Sequence, residues 1–220
     1  MGRIKSHKYY DLPRTEVVNM LPYVQGRYLE IGCGTGATLE YVKSRGASYV
    51  AGVDINKEAV EIASQKKIDL VLVADVECDK LPFEEKEFDC IIMADLLEHL
   101  YNPWDALKRI SRYLRDDGWI LLSIPNVKNY RILIRLVLHD EWTYSEAGLL
   151  DNTHLRFFTL KEIKRLLEFA GLRIEELRRN APLGRKSKIL NTLFLNKMMS
   201  FWVYQYYILA KKSKYMPVSS

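Results

Sequence analysis

Two groups of residues in this 220-residue chain have types and spacings suited to chemistry. The first is Leu29-Glu30-Ile31-Gly32-Cys33-Gly34-Thr35-Gly36, an apolar run that carries an acid and passes straight into alternating glycines. Without a Cβ, Gly32, Gly34 and Gly36 let the chain turn sharply and lay its amides against a bound molecule. A second apolar run, Tyr49–Val53, ends on Asp54, which is placed to accept hydrogen bonds from a ribose diol. Together they point to a nucleoside-containing cofactor. The residues leave its identity open: Gly32, Gly34 and Ala37 satisfy the G-x-G-x-x-G/A dinucleotide fingerprint, whereas the acid Glu30 suits a ligand with a cationic amino-acid end.

The second group is split in two. Asp95, Glu98 and His99 fall within one helical turn, so all three can face one side. Farther on, Asp151-Asn152-Thr153-His154-Leu155-Arg156 lies in a long irregular connection expected to fold over the same strand ends. The carboxylates of Asp95 and Glu98 with the imidazoles of His99 and His154 would hold Mg²⁺ or Mn²⁺. Without metal, one of the histidines would serve as a base. Arg156 is a candidate anion clamp, and Trp142 and Tyr144 belong to a candidate lid over an acceptor.

Strands and helices must alternate to position these groups. Apolar runs at Tyr28–Ile31, Tyr49–Val53, Leu70–Ala74, Phe88–Ala94 and Trp119–Ile124 read as strands. Ala37–Ser44, Lys57–Lys67 and Pro103–Arg115 read as helices between them, the last with Asn102 as N-cap, Pro103 at its first position and Gly118 beyond its end. This alternation predicts a parallel sheet covered by helices. Glu30, Asp54, Asp75 and Asp95 then stand at successive strand ends, around one crevice. The connection 126–158 breaks the rhythm, and one this long is usually functional or disordered. Thr159 and Glu162 form a capping box that opens a helix, and Leu172–Leu177 and Phe201–Lys211 read as two last strands.

The pattern Glu30-x-Gly32-x-Gly34-x-Gly36 resembles the first motif of class I S-adenosylmethionine-dependent methyltransferases. The resemblance runs from about Tyr9 to Lys211 and takes in Leu81-Pro82-Phe83 before Phe88-Asp89, the Leu97-Glu98-His99-Leu100 entry and the turn at Gly118. It implies a Rossmann-like, doubly wound α/β fold in one domain, with a mostly parallel seven-stranded sheet and an antiparallel last strand. Residues 1–26 would form a helical cap, and 126–158 with 181–200 acceptor-side insertions. The resemblance also implies that Asp54 grips the ribose, that Asp75 beside Val76 binds the adenine amino group, and that Glu30 and the glycine loop hold the methionine end. Cys33, Ile55 and Ala94 complete the implied cofactor set. The acid-x-x-Glu-His pattern with a distant His is similar to two O-methyltransferase groups, of ubiquinone biosynthesis and of small-RNA 3′ ends; here Asp95 stands where those groups have Glu. Gly148 to Thr159 resembles methyltransferases that accompany glycosyltransferases in surface-polysaccharide pathways. The expected activity is O-methylation of a small-molecule or glycan-linked hydroxyl. Methylation of an RNA 2′-hydroxyl and a non-catalytic S-adenosylmethionine-binding partner are the competing functions.

Charge bears on the acceptor. Residues 1–125 carry 16 Lys and Arg against 20 Asp and Glu, whereas residues 126–220 carry 17 against 8. A basic second half suits an anionic acceptor, RNA or a membrane surface. The segment Ile189–Ala210 includes Asn191, Asn196, Lys197 and Gln205, too polar for a lipid-exposed span, so membrane contact would be peripheral. Cys33, Cys78 and Cys90 have no paired spacing and read as free thiols, which with no visible signal peptide points to the cytoplasm.

Overall fold

The computed structural model describes residues 12–181 and 198–213. Along the chain run α1 (Thr15–Val18), β1 (Arg27–Ile31), α2 (Ala37–Ser44), β2 (Tyr49–Asp54), α3 (Lys57–Ala63), β3 (Leu70–Val73) and β4 (Phe88–Ala94). A 3₁₀ turn at Leu97–His99 leads to α4 (Pro103–Ile110), a second 3₁₀ turn at Ser111–Tyr113, and β5 (Leu114–Pro125). Then follow α5 (Tyr130–His139), α6 (Leu160–Phe169), β6 (Leu172–Asn180), α7 (Met199–Trp202) and β7 (Gln205–Lys212).

The strands form one seven-stranded sheet in the order β3-β2-β1-β4-β5-β7-β6. Neighbours from β3 to β5 pair in parallel, and β7 is antiparallel to both β5 and β6. Because side chains alternate along a strand, successive residues feed two layers. Leu29, Ile31, Ile91, Met93 and Ile120 enter one core; Tyr28, Val50, Cys90, Ile92 and Leu121 enter the other. Burial on both faces is what a parallel sheet requires, and it explains the near-continuous apolar runs. The order reverses between β1 and β4, which opens a crevice at their carboxyl ends.

Local signals set the helix starts. Asn56 accepts from the Ala59 amide at 3.2 Å, Asn102 from Asp105 at 3.3 Å, and Thr159 from Glu162 at 3.4 Å.

Several boundaries differ from expectation. β5 begins at Leu114, not Trp119, because Phe88 pairs with Leu114 while Cys90 pairs with Trp119, and Arg115–Gly118 bulge out between them. Gly118 therefore lies inside the strand, where a Cβ would come within 2.8 Å of Leu114 Cδ1 and 2.9 Å of the Asp89 carbonyl. Helix α3 stops at Ala63 and α4 at Ile110, short of the apolar spacing that suggested longer ones. Phe201 belongs to α7, and the last strand starts only at Gln205. The 126–158 connection contains helix α5 and is stitched by isolated bridges Asn126–Phe158 and Ser145–Asp151. Of the proposed cap, α1 is the helix among described residues; residues 1–11 lie outside them, as does 182–197 of the second insertion.

Candidate active site

Three of the glycines make the turn after β1 possible. Gly32, Gly34 and Gly36 have φ of +74°, +51° and +77°, left-handed values that a side chain disfavours. The Gly34 amide donates to Asp54 Oδ2 at 2.7 Å, and the Asn56 amide donates to Oδ1 at 2.8 Å. The carboxylate is thereby aimed across the turn, with acceptor capacity left on both oxygens.

Beyond this turn opens a cavity of about 410 Å³. Its wall includes the four strand-end acids together, Glu30, Asp54, Asp75 and Asp95, with Gly32, Cys33, Gly34, Ile55, Val76 and Ala94. Gly36 stays outside the wall; it makes room for α3 and the loop after it, since a Cβ there would lie 3.2 Å from Ala63 Cβ and 2.3 Å from Ile68 Cδ1. Asp75 accepts from the Glu77 amide at 2.8 Å, which fixes the loop carrying Val76. Cys33 is buried, and burial holds its thiol well above the usual range, so it lines the cavity as an apolar group.

Glu30 is the unusual acid. It is 3% exposed, and its Oε2 has no hydrogen-bond partner. Burial pushes its pKa up to about 8; a hydrogen bond with Thr38 and the charge of Arg14 pull the other way, and Asp54 adds to the rise. An unsatisfied buried acid at a cavity wall fits a ligand bearing an ammonium group. Adjacent to it, Arg14 bonds Asp95 Oδ2 at 3.0 Å and brings a guanidinium to the same wall, suited to a carboxylate. The place of Arg14 before β1 permits it to lie over the cofactor, and the packing of α1 against the sheet puts it at this wall.

A second cavity, of about 480 Å³, adjoins the first and shares Arg14, Asp95 and His99 with it. Glu98, Asp151, His154, Tyr204 and Gln205 complete its polar wall. All four candidate catalytic residues, Asp95, Glu98, His99 and His154, therefore meet at one place. The loop bearing His154 is clamped to the 3₁₀ turn, with the Leu155 and Arg156 amides donating to the Glu98 carbonyl at 2.8 and 3.0 Å. The His154 ring stands 4.8 Å from that of His99, edge to face, and its Nε2 lies 4.0 Å from Glu98 Oε1.

Backbone carbonyls set both tautomers. His154 Nδ1 faces the Leu149 carbonyl at 3.2 Å and His99 Nδ1 the Thr153 carbonyl at 3.1 Å. A carbonyl can only accept, so in a neutral ring each Nδ1 carries the hydrogen and Nε2 is the unprotonated nitrogen. Glu98, His99 and His154 offer ligand atoms within 4.8 Å of one another. Asp95 does not join that cluster. It sits at φ +52°, and its Oδ1 accepts from Ser123 Oγ at 2.7 Å and from Gln205 Nε2, while Oδ2 faces Arg14. Ser123 and Gln205 escaped notice because only the β5–β7 pairing brings them to the end of β4.

The three substrate candidates fall elsewhere. Arg156 donates to the Tyr101 carbonyl at 3.0 Å from Nε and again from Nη2, and so anchors a loop instead of facing a cavity. Trp142 and Tyr144 stack around Phe157, with centroids 5.3 and 6.5 Å away, and line neither cavity.

Comparison with known proteins agrees with this geometry. The family described as "Methyltransferase domain" matches residues 7–177. The ubiquinone biosynthesis O-methyltransferase of Aeromonas salmonicida is 26% identical over 183 residues, covering 80% of this chain and 75% of that one. The enzyme of the same name from Thiobacillus denitrificans is 27% identical over 177 residues, covering 78% and 75%. Among solved structures, an S-adenosylmethionine-dependent methyltransferase from Archaeoglobus fulgidus aligns with a TM-score of 0.66 at 21% identity, covering 94% of this chain and 95% of that one. Another, from Mesorhizobium loti, aligns with a TM-score of 0.64 at 18% identity, covering 90% and 96%. These two show the shared fold. With the family match spanning most of the chain and its cofactor turn intact, the protein belongs to the methyltransferase-domain family and is an S-adenosylmethionine-dependent methyltransferase.

Proposed function

We propose that the enzyme methylates a hydroxyl oxygen of a polyhydroxylated, uncharged acceptor group. The observation that carries this is the second cavity, where the His154 imidazole, its Nδ1 turned to the Leu149 carbonyl, stands beside buried Glu98 and next to the cofactor cavity. S-adenosylmethionine, when bound, supplies a methyl group on a sulfonium with a neutral leaving group. The chain must then hold it, align the acceptor and receive the hydroxyl proton. Glu30 and Arg14 suit the ammonium and carboxylate of its methionine end, and Asp54 suits its ribose. His154 Nε2 takes the proton, and the Glu98 carboxylate stabilises the imidazolium that results. Asp95, held by Arg14, Ser123 and Gln205, forms the wall between donor and acceptor.

The chemistry of the wall supports the acceptor class. Asp95, Glu98 and Asp151 repel an anion, so the anionic acceptor suggested by net charge does not suit this cavity. Tyr204, Gln205 and the histidines instead offer the mixed donors and acceptors that a sugar-like polyol needs. A panel of neutral glycosides, uronic acids and catechols, assayed for S-adenosylhomocysteine release, tests this. Turnover of neutral glycosides is expected, and exclusive turnover of uronic acids or catechols overturns it.

A second use of the same residues has its own support. Two imidazoles whose Nδ1 atoms donate to carbonyls, beside a buried carboxylate, is the arrangement in which metal-ligating histidines are held. Glu98, His99 and His154 would hold a divalent cation, which would lower the pKa of an acceptor oxygen there. Turnover after dialysis against chelator, followed by Mg²⁺, Mn²⁺ or Zn²⁺ addition, separates the two. Activity that survives chelation supports His154 as base, and activity restored only by metal supports the cation.

A further inference from the structure

The backbone of Gln205 is fixed from both sides, since at the start of β7 it pairs with Pro125 on β5 and with Asn180 on β6. One residue earlier, the Tyr204 amide donates to the Asn180 carbonyl at 2.7 Å, and the Asn126 amide donates to the Tyr204 carbonyl at 3.0 Å. From this rigid base the half-buried Gln205 side chain reaches the wall of the second cavity and donates from Nε2 to Asp95 Oδ1.

That bond decides which way the carboxamide faces. The Asp95 carboxylate is paired with Arg14 through Oδ2 at 3.0 Å, and a carboxylate accepts hydrogen bonds without donating any. The amide nitrogen must therefore face Asp95, which turns the oxygen away from it. Asp95 itself is pinned. Its amide donates to the Ser123 carbonyl at 3.1 Å and to Ser123 Oγ at 3.0 Å, and the Ser123 hydroxyl donates back to Oδ1 at 2.7 Å. Among the described residues no hydrogen bond reaches Gln205 Oε1. A fixed polar oxygen at a cavity wall, with its own nitrogen already engaged, is the kind of group that orients a ligand and sets its specificity.

We propose that Gln205 is a specificity-determining residue, whose Oε1 accepts a hydrogen bond from a second hydroxyl of the acceptor, close to the oxygen that takes the methyl. Asp95 sets that closeness, because it lines both cavities and Gln205 is bonded directly to it. An acceptor without this hydroxyl would leave Oε1 stripped of water and unpaired, a larger penalty than a missing methylene brings in an apolar pocket. The identity of the reacting oxygen rests on the proposed methyl transfer; the contact between Gln205 and a polyol does not.

The test follows the Gln205 side-chain amide by nuclear magnetic resonance in the full chain, labelled with ¹⁵N-glutamine and loaded with S-adenosylhomocysteine. Gln205→Met distinguishes its signal from those of Gln25 and Gln65. Methyl glucoside, methyl galactoside and methyl rhamnoside are added in turn, each with its monodeoxy analogues. A parent glycoside is expected to shift the Gln205 amide pair, and removal of one particular hydroxyl should abolish the shift and lower kcat/KM by about tenfold. Gln205→Met should lower kcat/KM for that parent by a similar factor and bring parent and analogue within about twofold of each other. A residue that merely supports Asp95 would instead lower the parent and every analogue alike, which overturns the proposal. So does the absence of a Gln205 shift with all three glycosides, a shift that every monodeoxy analogue retains, or one given only by the aminodeoxy counterparts. Because the shift is read without turnover, one that persists where turnover is absent or independent of His154 refutes the proposed chemistry and leaves this contact standing.

Discussion

Replacing Glu30 by glutamine separates binding from stability in opposite directions. Burial raises the Glu30 pKa from 4.5 to about 8, so the ligand-free protein holds this carboxyl largely protonated at pH 7. A group whose folded pKa is raised stabilises the fold fully below its unfolded value and loses that contribution as pH rises through the folded one. The window here is pH 4.5 to 8. At pH 7 the folded protein carries a proton the unfolded chain releases, at a cost of as much as roughly 3 kcal/mol at about 1.4 kcal/mol per unit. Glutamine removes this cost, so Glu30→Gln should melt several degrees higher than wild type at pH 7 to 8 and show a flatter dependence on pH.

The same substitution should weaken binding of S-adenosylhomocysteine, because the cofactor's ammonium loses its counter-charge. In the wild type the ammonium draws Glu30 into its ionised form, so binding at pH 7 should release close to one proton, read by calorimetry in phosphate and Tris buffers. Affinity should rise between pH 6 and 8, and proton release should vanish in Glu30→Gln. Wild-type binding without proton release, or a variant that binds as tightly and releases as many protons, would refute the assignment.

His154→Ala should lower turnover by about a hundredfold or more, the usual span for a general base, while leaving S-adenosylhomocysteine affinity within a few-fold of wild type by calorimetry. Asp54→Ala should reduce that affinity by about tenfold or more, since it removes both the ribose acceptor and the anchor of the Gly34 amide. Gly36→Ala should lower the melting temperature, because φ +77° and a Cβ 2.3 Å from Ile68 Cδ1 add backbone strain to a packing clash, together about 2 kcal/mol or more. Arg156→Ala should leave the affinity for anionic and neutral acceptors in the same ratio, since its guanidinium is engaged by the Tyr101 carbonyl; inhibition constants for the two classes check this.

The cofactor half was legible because its chemistry is local. Glu30, Gly32, Gly34 and Asp54 lie within one β-turn-α-β unit, where the turn calls for the glycines and a nucleoside ligand for the acids. The acceptor half was legible only in its titratable groups. The Glu98, His99 and His154 cluster followed from their types, but their separation from Asp95 did not, since Ser123 and Gln205 reach Asp95 through strand pairing. Arg156, Trp142 and Tyr144 looked like ligand contacts because cations and exposed aromatics often are. In the fold Arg156 bonds the Tyr101 carbonyl and the two aromatics pack on Phe157, partners that no sequence spacing shows. The boundary errors share a cause: apolar spacing marks which face is buried, not where hydrogen bonding stops, as at Ala63 and at the bulge before Trp119.

The most direct test is the fate of the methyl group. S-adenosylmethionine labelled in its methyl is incubated with the full chain and a neutral glycoside acceptor, and the product bond is identified. Label in an alkali-stable methyl ether, formed at a rate that His154→Ala cuts by about a hundredfold, is the expected result. Label on nitrogen, on carbon or in a base-labile ester, or transfer that His154→Ala leaves unchanged, would contradict oxygen methylation at the second cavity.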